Sequence, residues 1–184
     1  MKKQFVRFVI KLSGWQITDQ YPELKKSVCI MAPHTSMWDF VWGKLYFMTQ
    51  GIKPRILIKS EMFTWYLKPL LKALGGVPVY RKHPVGLVEQ MLKYFEETDE
   101  FTLIITPEAT RKPVKKWKTG ALRIAKMANV PLVLGKMDYK TKTMGLANMY
   151  MSIPDDSRFI NTVKNDFVGV TAKHPENFNP YYEQ

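Results

Sequence analysis

Cysteine and histidine are scarce in this sequence. The chain has one cysteine, Cys29, and three histidines among 184 residues. A single cysteine cannot form an internal disulfide, and the histidines lack the spacing of a zinc site. We therefore expect a chain that folds through its apolar core in a reducing, cytoplasmic compartment and binds no metal.

Long hydrophobic runs are also missing. No stretch reaches the roughly 18 apolar residues that a membrane-spanning helix needs. The chain begins Met1-Lys2-Lys3, but Arg7 and Lys11 interrupt the run that follows, and no Ala-x-Ala cleavage pattern is present. This disfavours a signal peptide. If a membrane is involved, we expect the protein to lie on its surface.

Acidic residues are the third scarcity. Sixteen aspartates and glutamates face 28 lysines and arginines, which gives a net charge of +12. Such an excess attracts polyanions: nucleic acid, anionic lipid headgroups or phosphorylated substrates. No nucleic-acid-binding motif is present. Serine-hydrolase elbows and the glycine-rich loops that bind nucleotide phosphates are absent as well.

Short apolar runs alternate with helical patterns along the chain. Strands are expected at 28–32, 55–59, 77–80, 101–106 and 130–134, and helices at 38–50, 61–74, 86–98 and 119–129. Two or three further β segments are expected within 136–170. The alternation indicates a single α/β domain over residues 1–184, with a mostly parallel or mixed central sheet flanked by helices. Residues 173–184 are predicted to be a surface tail.

The N-terminal residues 1–14 predict an amphipathic helix. Apolar side chains recur at helical spacing, with basic residues outside that stripe: Phe5, Phe8, Val9 and Leu12, against Lys2, Lys3, Arg7 and Lys11. Two interpretations stay open. The apolar stripe covers the core, or it anchors the protein at a lipid interface with cationic flanks.

Residues 61–74 are unusually apolar for a helix that covers one face of a sheet. We predict a helix that bends at Pro69 and ends at Gly75-Gly76. We expect its side chains to belong to the core.

The first chemical motif is His34-Thr35-Ser36-Met37-Trp38-Asp39, where a strand gives way to a helix. Imidazole is well suited to accept a hydroxyl proton near neutral pH. A carboxylate on its other nitrogen fixes the tautomer and stabilises the imidazolium. Ligands of open α/β sheets bind outside the carboxyl ends of strands, which is where this pair is predicted to lie.

A second cluster, Pro107-Glu108-Ala109-Thr110-Arg111-Lys112, follows the strand predicted at 101–106. Guanidinium and hydroxyl groups at a strand end suit phosphate oxygens. A solvated basic loop is the competing interpretation. Two further blocks are Gly75-Gly76-Val77-Pro78-Val79-Tyr80-Arg81 and the apolar run that opens with Val130-Pro131.

In order and spacing, these four blocks resemble the glycerolipid acyltransferase superfamily, typified by 1-acylglycerol-3-phosphate acyltransferases. The family's histidine–four residues–aspartate motif matches His34 to Asp39, and its glycine-led block ending in arginine matches 76–81. Its Pro-Glu-Gly-Thr-Arg block matches 107–111, and its Val-Pro strand matches 130–131. The resemblance covers about residues 28–135, the motif-bearing core of the domain.

The resemblance implies an α/β acyltransferase of phospholipid biosynthesis. His34 would deprotonate the acceptor hydroxyl, most simply that of 1-acyl-sn-glycerol-3-phosphate, and Asp39 would orient His34. The substrate-binding residues would be Arg81, Glu108, Thr110 and Arg111. The co-substrate would be acyl-CoA or acyl carrier protein, with no bound cofactor or metal, and donors near Thr35 or Ser36 would stabilise the oxyanion. The resemblance also gives residues 61–74 a second interpretation beside the core, as a surface for a membrane or an acyl chain. The resemblance also implies a peripheral position on the inner face of the cell membrane, on anionic lipid, with no nucleic acid as partner.

The sequence departs from the family at Ala109, where the family usually has glycine. A methyl group there restricts the backbone and puts the acceptor in question more than the reaction. One alternative is an acyltransferase for another lyso-lipid, such as one with an amino-acid headgroup. From a different class, the net charge of +12 also suits a basic nucleic-acid-binding protein.

Overall fold

The computed structural model describes residues 2–79 and 84–179. Its strands are β1 (Gln16–Ile17), β2 (Lys26–Ala32), β3 (Arg55–Lys59), β4 (Gly76–Val79), β5 (Phe101–Ile105), β6 (Leu132–Asp138) and β7 (Thr143–Tyr150). Its helices are α1 (Lys2–Leu12), α2 (Met37–Gln50), α3 (Lys68–Ala73), α4 (Pro84–Glu97), α5 (Gly120–Met127) and α6 (Phe159–Asn165), with 3₁₀ turns at Ser60–Met62 and Pro175–Asn177.

The strands form one sheet in the order β1-β7-β6-β2-β5-β3-β4. The five strands from β6 to β4 run parallel, β7 runs antiparallel to β6, and β1 pairs parallel with β7. A single α/β domain with a mostly parallel sheet is therefore confirmed. The prediction of two or three further β segments within 136–170 was wrong in number, because β7 is the one new strand there and α6 follows it.

Helices cover both faces of the sheet because consecutive side chains of a strand point to opposite faces. Cys29 and Met31 of β2 pack with side chains of α1 and α2 on what we call the front face. Val28 and Ile30 pack with α4, α5 and α6 on the back face. With both faces covered, the central strands are mostly apolar, as is usual in parallel sheets.

Helix α3 also lies on the front face. Leu57 of β3 joins the back core, so its neighbour Ile58 points forward. The Leu71 carbonyl of α3 and the Ile58 side chain both lie against the forward side of Gly76. A right-handed crossover from β3 to β4 gives the same arrangement.

Helix α1 buries a different stripe from the one predicted. Val6 and Ile10 are buried against the front face, whereas Phe5, Phe8 and Leu12 are 68%, 61% and 77% exposed. The two stripes lie on different sides of one helix, and contact with α2 selects the narrower aliphatic one. The interpretation in which Phe5, Phe8 and Leu12 cover the core was therefore wrong.

Residues 61–74 do not form one bent helix. A 3₁₀ turn at Ser60–Met62 is followed by the short helix α3, with Pro69 in its first turn. Proline fits this position because the first amides of a helix have no carbonyl partner within the helix. Neither element contains a buried residue, so the core interpretation of this segment was wrong as well.

The division of the domain into 1–14, 28–135 and the surface tail 173–184 stays a prediction. Of the tail, only the part up to residue 179 lies in the described range. Among the described residues, no helix is both long enough and apolar enough to span a bilayer.

Candidate active site

Three loops meet at the carboxyl edge of the sheet. Strands β2, β5 and β6 are parallel neighbours, so their carboxyl ends lie side by side. The loop after β2 carries His34, the loop after β5 carries Glu108, and the residue after β6 is Tyr139. Open α/β sheets bind their ligands at this edge.

The N-terminus of α2 fixes the carboxylate of Asp39. Ser36 is the N-cap and Asp39 the third helical residue, and the two form a reciprocal capping box. Asp39 Oδ2 accepts hydrogen bonds from the backbone amides of Thr35 and Ser36, both at 2.7 Å. The carboxylate is therefore held by the same contacts that begin the helix.

His34 faces this carboxylate. Its Nδ1 lies 3.6 Å from Asp39 Oδ2, an electrostatic contact rather than a short hydrogen bond. The His34 side chain is 23% exposed, while that of Asp39 is only 3% exposed. The imidazole thus reaches solvent while its partner stays dry, which strengthens the interaction between them.

Tyr139 completes the surroundings of Asp39, and nothing in the sequence analysis identified it. Its hydroxyl donates to Asp39 Oδ1 at 2.6 Å. Its amide donates to the Thr171 carbonyl at 2.9 Å, and its ring meets the edge of Trp15 with the centroids 5.0 Å apart. These contacts fix the phenol from three directions.

The ionisation of Asp39 follows from these partners. Burial favours the neutral acid, but contacts from His34, Tyr139 and the Ser36 and Thr35 amides together outweigh it and hold the pKa of Asp39 below its usual range. Burial, and then the bond to Asp39, raise the pKa of the Tyr139 phenol. Asp39 is thus the charged member of the pair and Tyr139 its neutral donor.

Glu108 reaches the same site from the other loop. Its Oε1 accepts the backbone amide of His34 at 2.9 Å, and the residue is 5% exposed. Its Oε2 is buried and has no hydrogen-bond partner among the described residues. Burial raises the pKa of Glu108 to about 7, although the His34 amide opposes the shift.

The remaining predicted binding residues lie around this core. Thr110 is half-buried, and its hydroxyl accepts the Lys112 amide at 3.3 Å. The Arg111 side chain is exposed on the same loop. Arg81 lies outside the described residues. The structure thus brings together His34, Asp39 and Glu108. Thr110 and Arg111 lie further along the loop that carries Glu108.

Ala109 has a left-handed backbone, with φ of 55°. Glycine adopts this conformation freely, whereas a side chain there costs about 1–2 kcal/mol. The loop therefore keeps the conformation that the family's glycine would allow. The departure at Ala109 appears as backbone strain rather than as a different loop conformation.

The chain after α6 passes beside the motif. The His174 amide donates to the Thr35 hydroxyl at 3.2 Å, and Lys173 Nζ lies 5.1 Å from the centre of the Trp38 ring.

A cavity of about 670 Å³ lies elsewhere, beside α1 and β1, and none of the site residues lines it. The prediction of oxyanion donors near Thr35 or Ser36 stays a prediction; the backbone amides of both residues donate to Asp39.

Fold and site together define an α/β protein in which a histidine at the carboxyl edge of the sheet faces a buried carboxylate. The model of the acyltransferase family matches residues 14–133 of this chain, a range that includes both members of the pair and Glu108. The chain belongs to the acyltransferase family, and the resemblance to glycerolipid acyltransferases is confirmed.

Two curated relatives are similar over the same region. The 1-acyl-sn-glycerol-3-phosphate acyltransferase of Streptococcus pneumoniae is 27% identical over 143 residues, which is 70% of this chain and 51% of the relative. A probable 1-acyl-sn-glycerol-3-phosphate acyltransferase of Mycoplasma pneumoniae is 28% identical over 142 residues, 71% of this chain and 52% of the relative. The chain thus spans about half the length of these relatives.

A solved structure shares the fold. The crystal structure of the 1-acyl-sn-glycerophosphate acyltransferase PlsC from Thermotoga maritima aligns with a TM-score of 0.50 at 16% identity. The alignment covers 80% of this chain and 65% of that one. At this identity the likeness concerns the fold alone.

Proposed function

We propose that this protein transfers a fatty acyl group to the hydroxyl of a lysophospholipid, with 1-acyl-sn-glycerol-3-phosphate as the acceptor. The observation that carries the proposal is the orientation of His34, whose Nδ1 faces the buried Asp39. Its Nε2 is then the nitrogen that meets the substrate. The names of the two curated relatives support the choice of acceptor.

The reaction follows from this geometry. His34 Nε2 takes the proton of the acceptor hydroxyl as its oxygen attacks the thioester carbonyl. The tetrahedral intermediate collapses, the carbon–sulfur bond breaks, and the imidazolium returns the proton to the leaving thiolate. Asp39 stabilises the imidazolium between these steps, and Tyr139 holds Asp39 in position through its 2.6 Å hydrogen bond.

The acceptor phosphate is proposed to bind at the loop after β5. Arg111 and the Thr110 hydroxyl supply donors of the kind that phosphate oxygens accept. Glu108 ties that loop to the backbone of His34, so the phosphate and the base keep a fixed separation. Arg81, in the glycine-led block, is proposed as a further phosphate ligand.

The proposed donor is acyl-CoA or acyl carrier protein. The thioester is already activated and imidazole supplies the base, so the reaction as proposed uses no metal and no bound cofactor. The protein is proposed to work at the inner face of the cell membrane, on anionic lipid, to which its net charge of +12 attracts it. The exposed stripe of α1 supports this position.

The test is acyl transfer from labelled acyl-CoA, and separately from acyl carrier protein, to a panel of lyso-lipids. We expect transfer to 1-acyl-sn-glycerol-3-phosphate and its loss, by about a thousandfold or more, in His34→Ala with an unchanged circular dichroism spectrum. Full activity in that folded variant would refute the proposal. Preference for an amino-acid-containing lyso-lipid would favour the alternative acceptor, and salt-sensitive binding of nucleic acid without transfer would reject the enzyme altogether.

A further inference from the structure

The two helical layers of this protein differ sharply in what they expose. Eleven of the fifteen large apolar side chains exposed among the described residues lie on the front layer. Three are on α1, four on α2 and four between residues 62 and 70. Among the described side chains of helices α4 to α6, only Met127 is a large apolar side chain that is exposed.

Helix α2 shows the anomaly most clearly. Its inner side packs on the front core, so its outer side should be polar on a surface that faces water. Every exposed residue of α2 is instead apolar: Met37, Trp38, Val41 and Met48. This helix begins within the His34–Asp39 motif, so its apolar side adjoins the candidate active site.

Residues 62–70 continue the apolar surface beyond α2, on the flank of that helix that lies away from α1. Trp65 is 86% exposed and Tyr66 is 61% exposed, and their rings contact each other with centroids 5.7 Å apart. The Lys44 ammonium of α2 donates to the Leu74 carbonyl at 3.1 Å, which joins the residue that ends α3 to α2. The segment follows β3, whose carboxyl end lies at the edge of the sheet that carries His34.

The charges around this surface identify the kind of partner that fits it. Helix α1 has four basic residues and no acidic one, and α3 contributes Lys68 and Lys72. Exposed tryptophan and tyrosine beside lysine and arginine are typical of the interface of an anionic bilayer. The buried centre of a protein–protein interface is instead depleted in lysine.

We propose that the outer side of α2 and residues 62–70 form a docking face for an anionic lipid bilayer, which extends the contact made by α1 and brings the His34 loop to the membrane. The inference deepens the proposed function, on which it rests for its lipid acceptor. Membrane docking, unlike acyl transfer, does not require His34. The two proposals can therefore fail separately.

The test compares two double variants of the full chain in vesicle sedimentation without substrate. Trp65→Ser with Tyr66→Ser removes the aromatic pair. Met149→Ser with Met151→Ser removes two exposed side chains outside the docking face and serves as the matched control. On phosphatidylglycerol–phosphatidylcholine vesicles we expect the aromatic variant to bind about tenfold more weakly or worse, and the control to bind as the parent does.

The role of charge is tested with Lys68→Gln and Lys72→Gln, which should also bind these vesicles more weakly than the parent does. Vesicles of pure phosphatidylcholine are a second test, and the parent should bind them weakly. Equal binding by the parent and the aromatic variant would overturn the proposal. So would a parent that forms a stable dimer which the aromatic variant dissolves, since a second copy would then occupy the face. His34→Ala should bind vesicles normally, and retained activity in it would count against the proposed function alone.

Discussion

Glu108→Gln tests the electrostatics of the site through stability. In the parent protein, one carboxyl oxygen accepts the His34 amide at 2.9 Å, while the other is buried with no hydrogen-bond partner in the described part of the chain. Glutamine keeps the acceptor for that amide and is almost the same size. The substitution therefore removes the ionisation and leaves the packing in place.

The magnitude follows from the pKa of Glu108, which burial raises from 4.5 to about 7. Below about pH 4.5 the carboxyl is protonated in both the folded and the unfolded chain, and it carries no penalty. As the pH rises, the unfolded chain loses the proton first, so stability falls until the folded carboxyl also ionises near pH 7. At about 1.4 kcal/mol for each pKa unit, the full loss is about 3 kcal/mol.

The assay is urea unfolding of both proteins at pH 5 and at pH 8. Most of the loss falls in this window, so the parent should lose about 2–3 kcal/mol more than Glu108→Gln between the two values. Other titrating groups are common to both proteins and cancel in the comparison. Glu89→Gln, which changes an exposed carboxyl on α4, is the control and should behave as the parent does. Parallel pH profiles for the parent and Glu108→Gln would refute the reasoning.

Three further predictions concern the neighbouring residues. Tyr139→Phe should lower kcat by about 10- to 100-fold with little change in KM, because it removes one hydrogen bond to the charged Asp39. The acid limb of the pH–rate profile should also move to higher pH. A change in KM alone would contradict a positioning role. Asp39→Asn should lower the free energy of unfolding by about 1–3 kcal/mol at pH 7. Since the pKa of Asp39 is depressed, the difference in stability from the parent should shrink as the pH falls below about 4. A difference that stays constant in acid unfolding would disprove this. Ala109→Gly should raise the free energy of unfolding by about 0.5–1 kcal/mol, because relief of the left-handed strain exceeds the added chain entropy; thermal melts check this, and a lower melting temperature would count against it.

The apolar runs predicted most of the sheet correctly. The strand expected at 55–59 was observed over the same residues, and that expected at 101–106 ends one residue earlier. These runs are informative because strands buried on both faces are nearly continuous apolar runs. The two-residue strand β1 gave no such signal, since pairing with β7 at only two positions needs no apolar pattern.

Partners that are distant in sequence could not be predicted. Tyr139 follows Asp39 by one hundred residues, and no spacing connects them. The available clue was that Tyr139 directly follows a strand, as the other site residues nearly do. That clue gains meaning only when β6 is known to be the parallel neighbour of β2.

The sequence by itself determined the family, the α/β class and the His34–Asp39 pair, because the four motif blocks and the strand and helix periodicity are local properties of the chain. Only the tertiary structure decided which stripe of α1 is buried, that residues 62–70 belong to no core, and that Glu108 and Tyr139 converge on the pair. The reason is physical: burial and hydrogen bonding depend on which surfaces meet. A helix such as α1 carries more than one apolar stripe, and the local sequence does not distinguish the stripe that will be buried. Packing of α1 against α2 and the parallel order of β5, β2 and β6 made those choices.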